Sequence, residues 1–276
     1  MHNSDQIAQW NERSGPRWVA VQRLLDGQLE PLGRAALAGL PLRPGMRVLD
    51  VGCGCGATSF QLADLVGEGG RVTGVDISTV MLARARERAA GRSNVDFVEA
   101  DAQTHDLAGP YDALFSRFGV MFFDDPVAAF RRLRGALAEG APVAFVAWRD
   151  VKLNPWMTVP LAAAAPLLES PPAPSAPGAP GPFGFADDAR VCGILADAGF
   201  HDAKAEALDL PMLLAGGGVE EALEVSLQVG PCGQIVRENP HLADKVRDVV
   251  RAALAAHLTD AGVSLPAAVW VYTARA

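Results

Sequence analysis

Residues 49–56 read Leu-Asp-Val-Gly-Cys-Gly-Cys-Gly, and three kinds of chemistry compete for them. The alternating Cys53 and Cys55 suggest a thiol or metal site. The glycines suggest a ligand cradle, because residues without a Cβ turn sharply and let a ligand reach the main-chain N–H groups. A tight turn with no ligand is the third reading. A Cys-x-Cys pair supplies only part of the ligand set that a structural zinc site needs, so small side chains in a crowded turn take precedence over metal. The glycines are spaced Gly52-x-Gly54-x-Gly56, which is not the dinucleotide fingerprint Gly-x-Gly-x-x-Gly. Ala57-Thr58 follows where a phosphate loop requires Lys and then Ser or Thr, which excludes that loop. A carboxylate, Asp50, together with tight glycines and no phosphate-neutralising Lys suits a ligand that bears an ammonium group and lacks phosphates.

Further acids stand at regular intervals. Asp76 lies roughly twenty residues past the glycines, where a carboxylate accepts from both ribose hydroxyls, although an acid at a helix start is the plainer reading. Glu99-Ala100-Asp101-Ala102-Gln103 places another acid beside backbone N–H groups, an arrangement that fits an adenine edge.

The elements that must position these residues alternate in period. Short apolar runs predict strands at Arg47–Val51, Arg71–Val75, Val95–Glu99, Asp112–Ser116 and Pro142–Trp148. Between them, helices are predicted at 57–66, 80–90 and 127–137, stopped by Gly67, Gly91 and Gly140. Strands alternating with helices imply a doubly wound, mostly parallel α/β sheet, in which the three acids line the edge where such sheets bind ligands. Residues 166–182 are rich in Pro, Ala and Gly and read as a stiff connection. Beyond it, helices are predicted at 187–198, 219–229 and 242–257, and strands at 204–210 and 268–273. The first 40 residues read as helical, and 211–266 as an insertion that covers a site.

VLDVGCGCGATSFQLA, VTGVDISTVMLARARERA, NVDFVEADAQ and YDALFSRFGVMFF together resemble the successive motifs of class I S-adenosylmethionine-dependent methyltransferases. The resemblance is to bacterial small-molecule enzymes related to the ubiquinone and menaquinone methyltransferases. It covers residues 10–150 and, more weakly, the final strand. It implies a seven-stranded sheet of order 3-2-1-4-5-7-6 with the last strand antiparallel, and helical lid insertions. The chain would form one domain: a helical cap (1–40), a cofactor-binding core (41–150) and an acceptor-pocket or lid region (151–266). S-adenosylmethionine is the implied cofactor. Gly52 and Gly54 would meet its methionine part, Asp76 with Ile77 and Met81 its ribose side, and Asp101 and Ala102 its adenine. Ser116 and Phe118 would lie near the sulfonium, while Asp50 shapes the loop and reaches the amino group through water. Trp10 and Trp18 would cap the cofactor, with ordinary core packing as the alternative.

For the acceptor, the positions after the fourth and fifth strands offer Arg117, Met121, Phe122, Trp148 and Trp156. Arg117 reads either as a clamp on an acceptor carboxylate or as a paired charge. Asn154 joins Trp148 and Trp156 as a residue that reaches the acceptor or packs in the core. Phe183 and Phe185 read as a hydrophobic anchor for the Pro-rich connection. His105 is either a general base or a solvated side chain, and His201 and His241 read as surface residues. No catalytic residue is assigned, because a base is needed only where the nucleophile starts protonated. The implied activity is methyl transfer to a small organic acceptor through an O, N or C atom. Two rivals remain: a nicotinamide-dependent oxidoreductase and a non-catalytic S-adenosylmethionine-binding partner protein.

The bulk composition narrows the partners. The chain has 276 residues, is 50% hydrophobic and carries a formal charge of −8. An acidic surface argues against sequence-independent nucleic-acid binding and against an anionic membrane. Four cysteines make no disulfide framework in a chain this long. Neither a signal peptide nor an apolar run long enough to span a bilayer is legible, so a cytoplasmic protein is the expectation.

Overall fold

The computed structural model describes residues 4–170 and 176–276. Its sheet is built from β1 (Arg47–Val51), β2 (Arg71–Asp76), β3 (Val95–Glu99), β4 (Ala113–Arg117), β5 (Pro142–Trp148), β6 (His201–Ala215) and β8 (Gly262–Arg275), with the two-residue β7 (Leu258–Thr259) paired only to β8. The strand order is β3-β2-β1-β4-β5-β8-β6. With β7 set aside, this is the predicted order 3-2-1-4-5-7-6. The pairs among β1–β5 are parallel, and β8 runs antiparallel to both β5 and β6.

The local causes are visible in the residues. In β1 and β4 four consecutive side chains are buried, and in β5 six, as expected of strands covered by helices on both faces. Those helices are α4 (Ala57–Val66), α5 (Thr79–Arg88), α6 (Pro126–Gly135) and α8 (Asp188–Asp197). Three of them start on side-chain caps. Ser78 accepts from the Met81 N–H, Asp125 from Ala128 and Asp187 from Arg190, and Pro126 takes the first turn of α6. The N-terminal residues form α1 (Ser4–Ala8), a π-helical turn (Gln9–Arg13), α2 (Ser14–Ala20) and the long α3 (Gln22–Leu37).

The second half departs most from the pattern read in the sequence. The strands expected at 204–210 and 268–273 extend to 201–215 and 262–275, so the ends of the presumed insertion at 211–266 are sheet, with Pro211 opposite Pro266 and Ala215 opposite Val263. Between them lie α9 (Val219–Gln228), α10 (Pro231–Glu238) and α11 (Ala243–Ala255). Two helices are additions: α10, and α7 (Pro155–Ala164), which is so uniformly apolar that no amphipathic period marks it. Part of the Pro-rich connection, residues 171–175, lies outside the described residues. Its C-terminal part docks where the Gly181 N–H meets the Met121 carbonyl at 3.1 Å. Phe185 then buries against Phe130 and Phe145, and Tyr272 donates its hydroxyl hydrogen to the Phe185 carbonyl at 3.1 Å. Phe183 is half-buried against the same core. No described helix is long and apolar enough to cross a membrane.

Asn154 ties α7 to the sheet. It is fully buried; its Oδ1 accepts from the Ala268 N–H and the Trp156 indole, each at 3.0 Å, and its Nδ2 donates to the Ala268 and Asp150 carbonyls at 3.2 and 3.1 Å. Replacing Asn154 with Ala leaves these groups unpaired in the interior, so the unfolding free energy should fall by about 2–4 kcal/mol. A urea titration reads this as a lowered midpoint at unchanged slope. A midpoint equal to that of the unsubstituted chain would contradict the role.

Candidate cofactor and acceptor site

The loop that follows β1 is sewn to both neighbouring strands. The Gly52 and Cys53 N–H groups donate to the Val75 carbonyl at the end of β2, at 2.8 and 3.2 Å. On the other side Gly52 lies against Gly119: a Cβ on Gly52 would stand 2.5 Å from the Gly119 Cα. Gly52 and Gly54 have φ of 69° and 54°, a region that side chains resist. Gly54 is bound more loosely from the side, since its Cβ would meet only the Met81 methyl at 2.8 Å.

Two carboxylates hold this loop. Asp76 accepts from the Gly54 N–H through Oδ2 at 2.8 Å and from the Ser78 N–H through Oδ1 at 2.9 Å. Burial pushes its carboxyl above the usual range, opposed by those backbone donors. Each oxygen still has lone-pair capacity for a ligand hydroxyl. Asp50 lies beneath the loop, fully buried. Its Oδ2 accepts from the Thr58 and Ser59 hydroxyls, both at 2.6 Å, while Oδ1 is buried with no hydrogen-bond partner among the described residues. Burial pushes Asp50 up to about 6, with the two hydroxyls and the Arg117 charge pulling the other way.

Ser116, expected near a ligand, is fully buried and spends its hydroxyl on stitching. It donates to the Val51 carbonyl at 2.7 Å and accepts from the Gly119 N–H at 3.2 Å. Phe118 has φ of 62°, unusual for a bulky residue, and its ring stacks on Trp148 at 4.3 Å. Trp148 in turn packs on Trp156 at 4.7 Å. Trp10 meets Phe122 edge-on at 5.2 Å and Trp18 at 6.0 Å. Met121 is buried. The Arg117 guanidinium faces Asp26 of α3 at 3.4 Å, which is the paired-charge arrangement. Asp101 accepts from the Gln103 N–H through Oδ1 at 2.9 Å, and the buried Gln103 carries the link on to the Asp125 N–H at 2.9 Å. Ala102 is buried beside them, whereas His105 is exposed, as are His201 and His241.

Cys53 and Cys55 are buried and free. Burial, joined by the nearby carboxylates, raises both thiols, Cys55 to about 12, which leaves them protonated near neutrality. Cys53 packs against Gly74, where a Cβ would stand 2.9 Å from its sulfur.

Some residues escaped the sequence reading. Asn11, in the π-helical turn, donates to the Ile77 carbonyl at 3.0 Å and accepts from the Thr79 N–H at 2.8 Å, while the Ser78 hydroxyl donates to the Trp10 carbonyl at 2.8 Å. The N-terminal helices are thereby clasped to the loop after β2. Nothing in the local pattern marks Asn11, because its partners are distant in sequence.

Known proteins share the fold and part of the sequence of this chain. Residues 48–140 match a family model described as a methyltransferase domain. Nocamycin O-methyltransferase of Saccharothrix syringae is 31% identical over 193 residues, which is 66% of this chain and 69% of that protein. The chain belongs to the S-adenosylmethionine-dependent methyltransferase family. Aklanonic acid methyltransferase DauC of Streptomyces sp. strain C5 is also similar, 36% identical over 118 residues, covering 42% of this chain and 54% of DauC. The chain thus spans about half the length of that relative. In fold it is similar to Haemonchus contortus phosphoethanolamine N-methyltransferase 2 in complex with S-adenosyl-L-methionine, with a TM-score of 0.54, 20% identity, and coverage of 89% of this chain and 52% of that one. Family membership sets aside the nicotinamide-dependent alternative.

The packing around the loop separates its residues in a testable way. Cys53→Ala and Cys55→Ala should keep S-adenosylhomocysteine affinity within about threefold, because only small side-chain volume is lost. Gly52→Ala should abolish binding, since the new methyl collides with the Gly119 backbone. Isothermal titration of the three variants checks both statements, and a large loss in either cysteine variant would restore the thiol reading.

Proposed function

We propose that this methyltransferase moves the methyl group of S-adenosylmethionine to a small, ring-bearing organic acceptor. The observation that carries the reading is the orphaned Asp50 oxygen beneath a glycine loop that Asp76 grips from the next strand. A buried carboxylate oxygen with no partner calls for a donor, and an ammonium group, direct or through one water, supplies it. Gly52 and Gly54 would admit the amino-acid part of the cofactor, and Asp76 would take the ribose, with Ile77 and Met81 alongside. Asp101 and Ala102 would meet the adenine.

The bound cofactor supplies an electrophilic methyl on a sulfonium. The chain's own work is then alignment and exclusion of water. Phe118, Trp148 and Trp156 pack in one aromatic group and Trp10, Trp18 and Phe122 in a second, and these groups, with Met121, would flank the acceptor. Rings of this kind suit a planar, weakly polar acceptor. That preference agrees with the quinone-methyltransferase likeness of the motifs and with the names of the nocamycin and aklanonic acid relatives. Ser116 and Arg117 are read here as supports of the site: the serine joins the β1 and β4 loops, and the arginine is engaged with Asp26.

Asp50 gives the reading a pH signature. A cationic ligand binds the ionised carboxylate, whereas below about pH 6 the free protein holds Asp50 protonated and must release that proton on binding. The dissociation constant for S-adenosylhomocysteine should therefore rise as pH falls below about 6, approaching tenfold per pH unit, and should be flat above it. Asp50→Asn should bind more weakly at pH 7.5 and show a flattened acid limb. Calorimetry from pH 5 to 8 decides the matter: Asp76, also raised by burial, can leave a residual limb, but an acid limb as steep in Asp50→Asn as in the unsubstituted chain would sink the assignment.

A further inference from the structure

Asp26 sits in the second turn of α3, with 18% of its side chain exposed, where three donors converge. Gln22 reaches it from one turn earlier, Arg88 of α5 through Nη2 at 3.0 Å, and Arg117 of β4 through Nη2 at 3.4 Å. The two arginines are themselves largely withdrawn from solvent, at 24% and 9% exposure. α3 is shaped to receive Arg117: at Gly33 a Cβ would stand 2.8 Å from the Arg117 Cδ.

Arg88 also works in a second direction. Its Nη1 donates at 2.6 Å to the Cys55 carbonyl, inside the glycine loop, while its guanidinium lies 5.2 Å over the Phe60 ring of α4. The Cys55 carbonyl and the Gly56 N–H belong to one rigid peptide plane and point in opposite directions. Holding the carbonyl therefore aims the N–H, which donates to the Cys53 carbonyl at 2.9 Å and closes the turn. A guanidinium can serve a carboxylate and a carbonyl at once in fixed directions, and an ammonium cannot reproduce that planar fork.

We infer that Asp26 is a positioning residue for the cofactor loop: it fixes Arg88, and Arg88 fixes the Cys55 peptide and with it the course of the loop from Gly52 to Gly56. The inference rests on the reading of this loop as the cofactor cradle. It ties the N-terminal helices to cofactor affinity through a charge pair rather than through contact with the ligand.

The test is S-adenosylhomocysteine calorimetry on the full chain and on Asp26→Asn, Arg88→Lys and the double variant, with Tyr272→Phe as a remote control. Each single variant should raise the dissociation constant about tenfold, as expected for loss of a charge-assisted hydrogen bond. The double variant should be no weaker than the weaker single, because both break one linkage. Amide exchange at residues 54–56 should quicken in both single variants. Tyr272→Phe should lower the melting temperature and leave the affinity unchanged. Asp26→Asn and Arg88→Lys variants that melt earlier yet bind and exchange like the unsubstituted chain would reduce Asp26 to a structural ion pair and overturn the inference, as would single effects that simply add. Failure of the unsubstituted chain itself to bind would overturn the cofactor reading beneath it instead.

Discussion

The hydrogen bond from the Gly54 N–H to the Asp76 carboxylate is the contact on which the site depends, because it makes the loop after β1 a property of the whole sheet edge. A loop of glycines has many conformations, and left alone it would have to be ordered at the ligand's expense. Here the protein's own groups hold it from several sides. Val75 receives its first two amides, Gly119 closes against Gly52, Asp50 lies beneath, and Arg88 grips the Cys55 carbonyl. Preorganisation of this kind suits a reaction whose electrophile comes ready-made in the cofactor and whose protein must chiefly align the partners.

Restraint of the loop also explains the distribution of charge. Asp76, Asp50, Asp26, Arg88 and Arg117 form a cluster with little access to water, in which each acid has a nearby donor except at one Asp50 oxygen. Interiors penalise unpaired polar atoms heavily; among the described residues Gln61 Oε1 and Arg134 Nε are also buried without a partner, but the Asp50 oxygen is the carboxylate among them and the one beneath the glycine loop. The cysteines that first draw attention in the sequence take no part in it. They are protonated, small and packed, and their value lies in the volume they leave to the turn.

Much of the first half was legible because its signals are local. The apolar runs of β1, β4 and β5, the glycines that stop the first helices, and the acids at successive strand ends each announce themselves within a few residues. The second half was harder for physical reasons. Helix α7 is apolar on every side and shows no period, and β6 and β8 continue past their apolar centres because they pair with each other over their whole length, which no single window reveals. The site divides in the same way. Asp50, Gly52, Gly54 and Asp76 could be named from spacing, whereas Asn11 and Asp26 owe their importance to partners some sixty to ninety residues away. Ser116 and Arg117 were expected beside the ligands, but their hydrogen bonds turn one toward Val51 and the other toward Asp26, which only the packed structure reveals.

We propose that the carboxylate of Asp76 both holds the glycine loop and receives the ribose of S-adenosylmethionine. Calorimetric titration of S-adenosylhomocysteine and of NADH into the folded chain and its Asp76→Asn variant tests it most directly. The unsubstituted chain should bind S-adenosylhomocysteine but not NADH, and the variant should lose at least about tenfold in affinity, from charge-assisted hydrogen bonds forgone. Equal affinity for S-adenosylhomocysteine in a folded Asp76→Asn variant would contradict it.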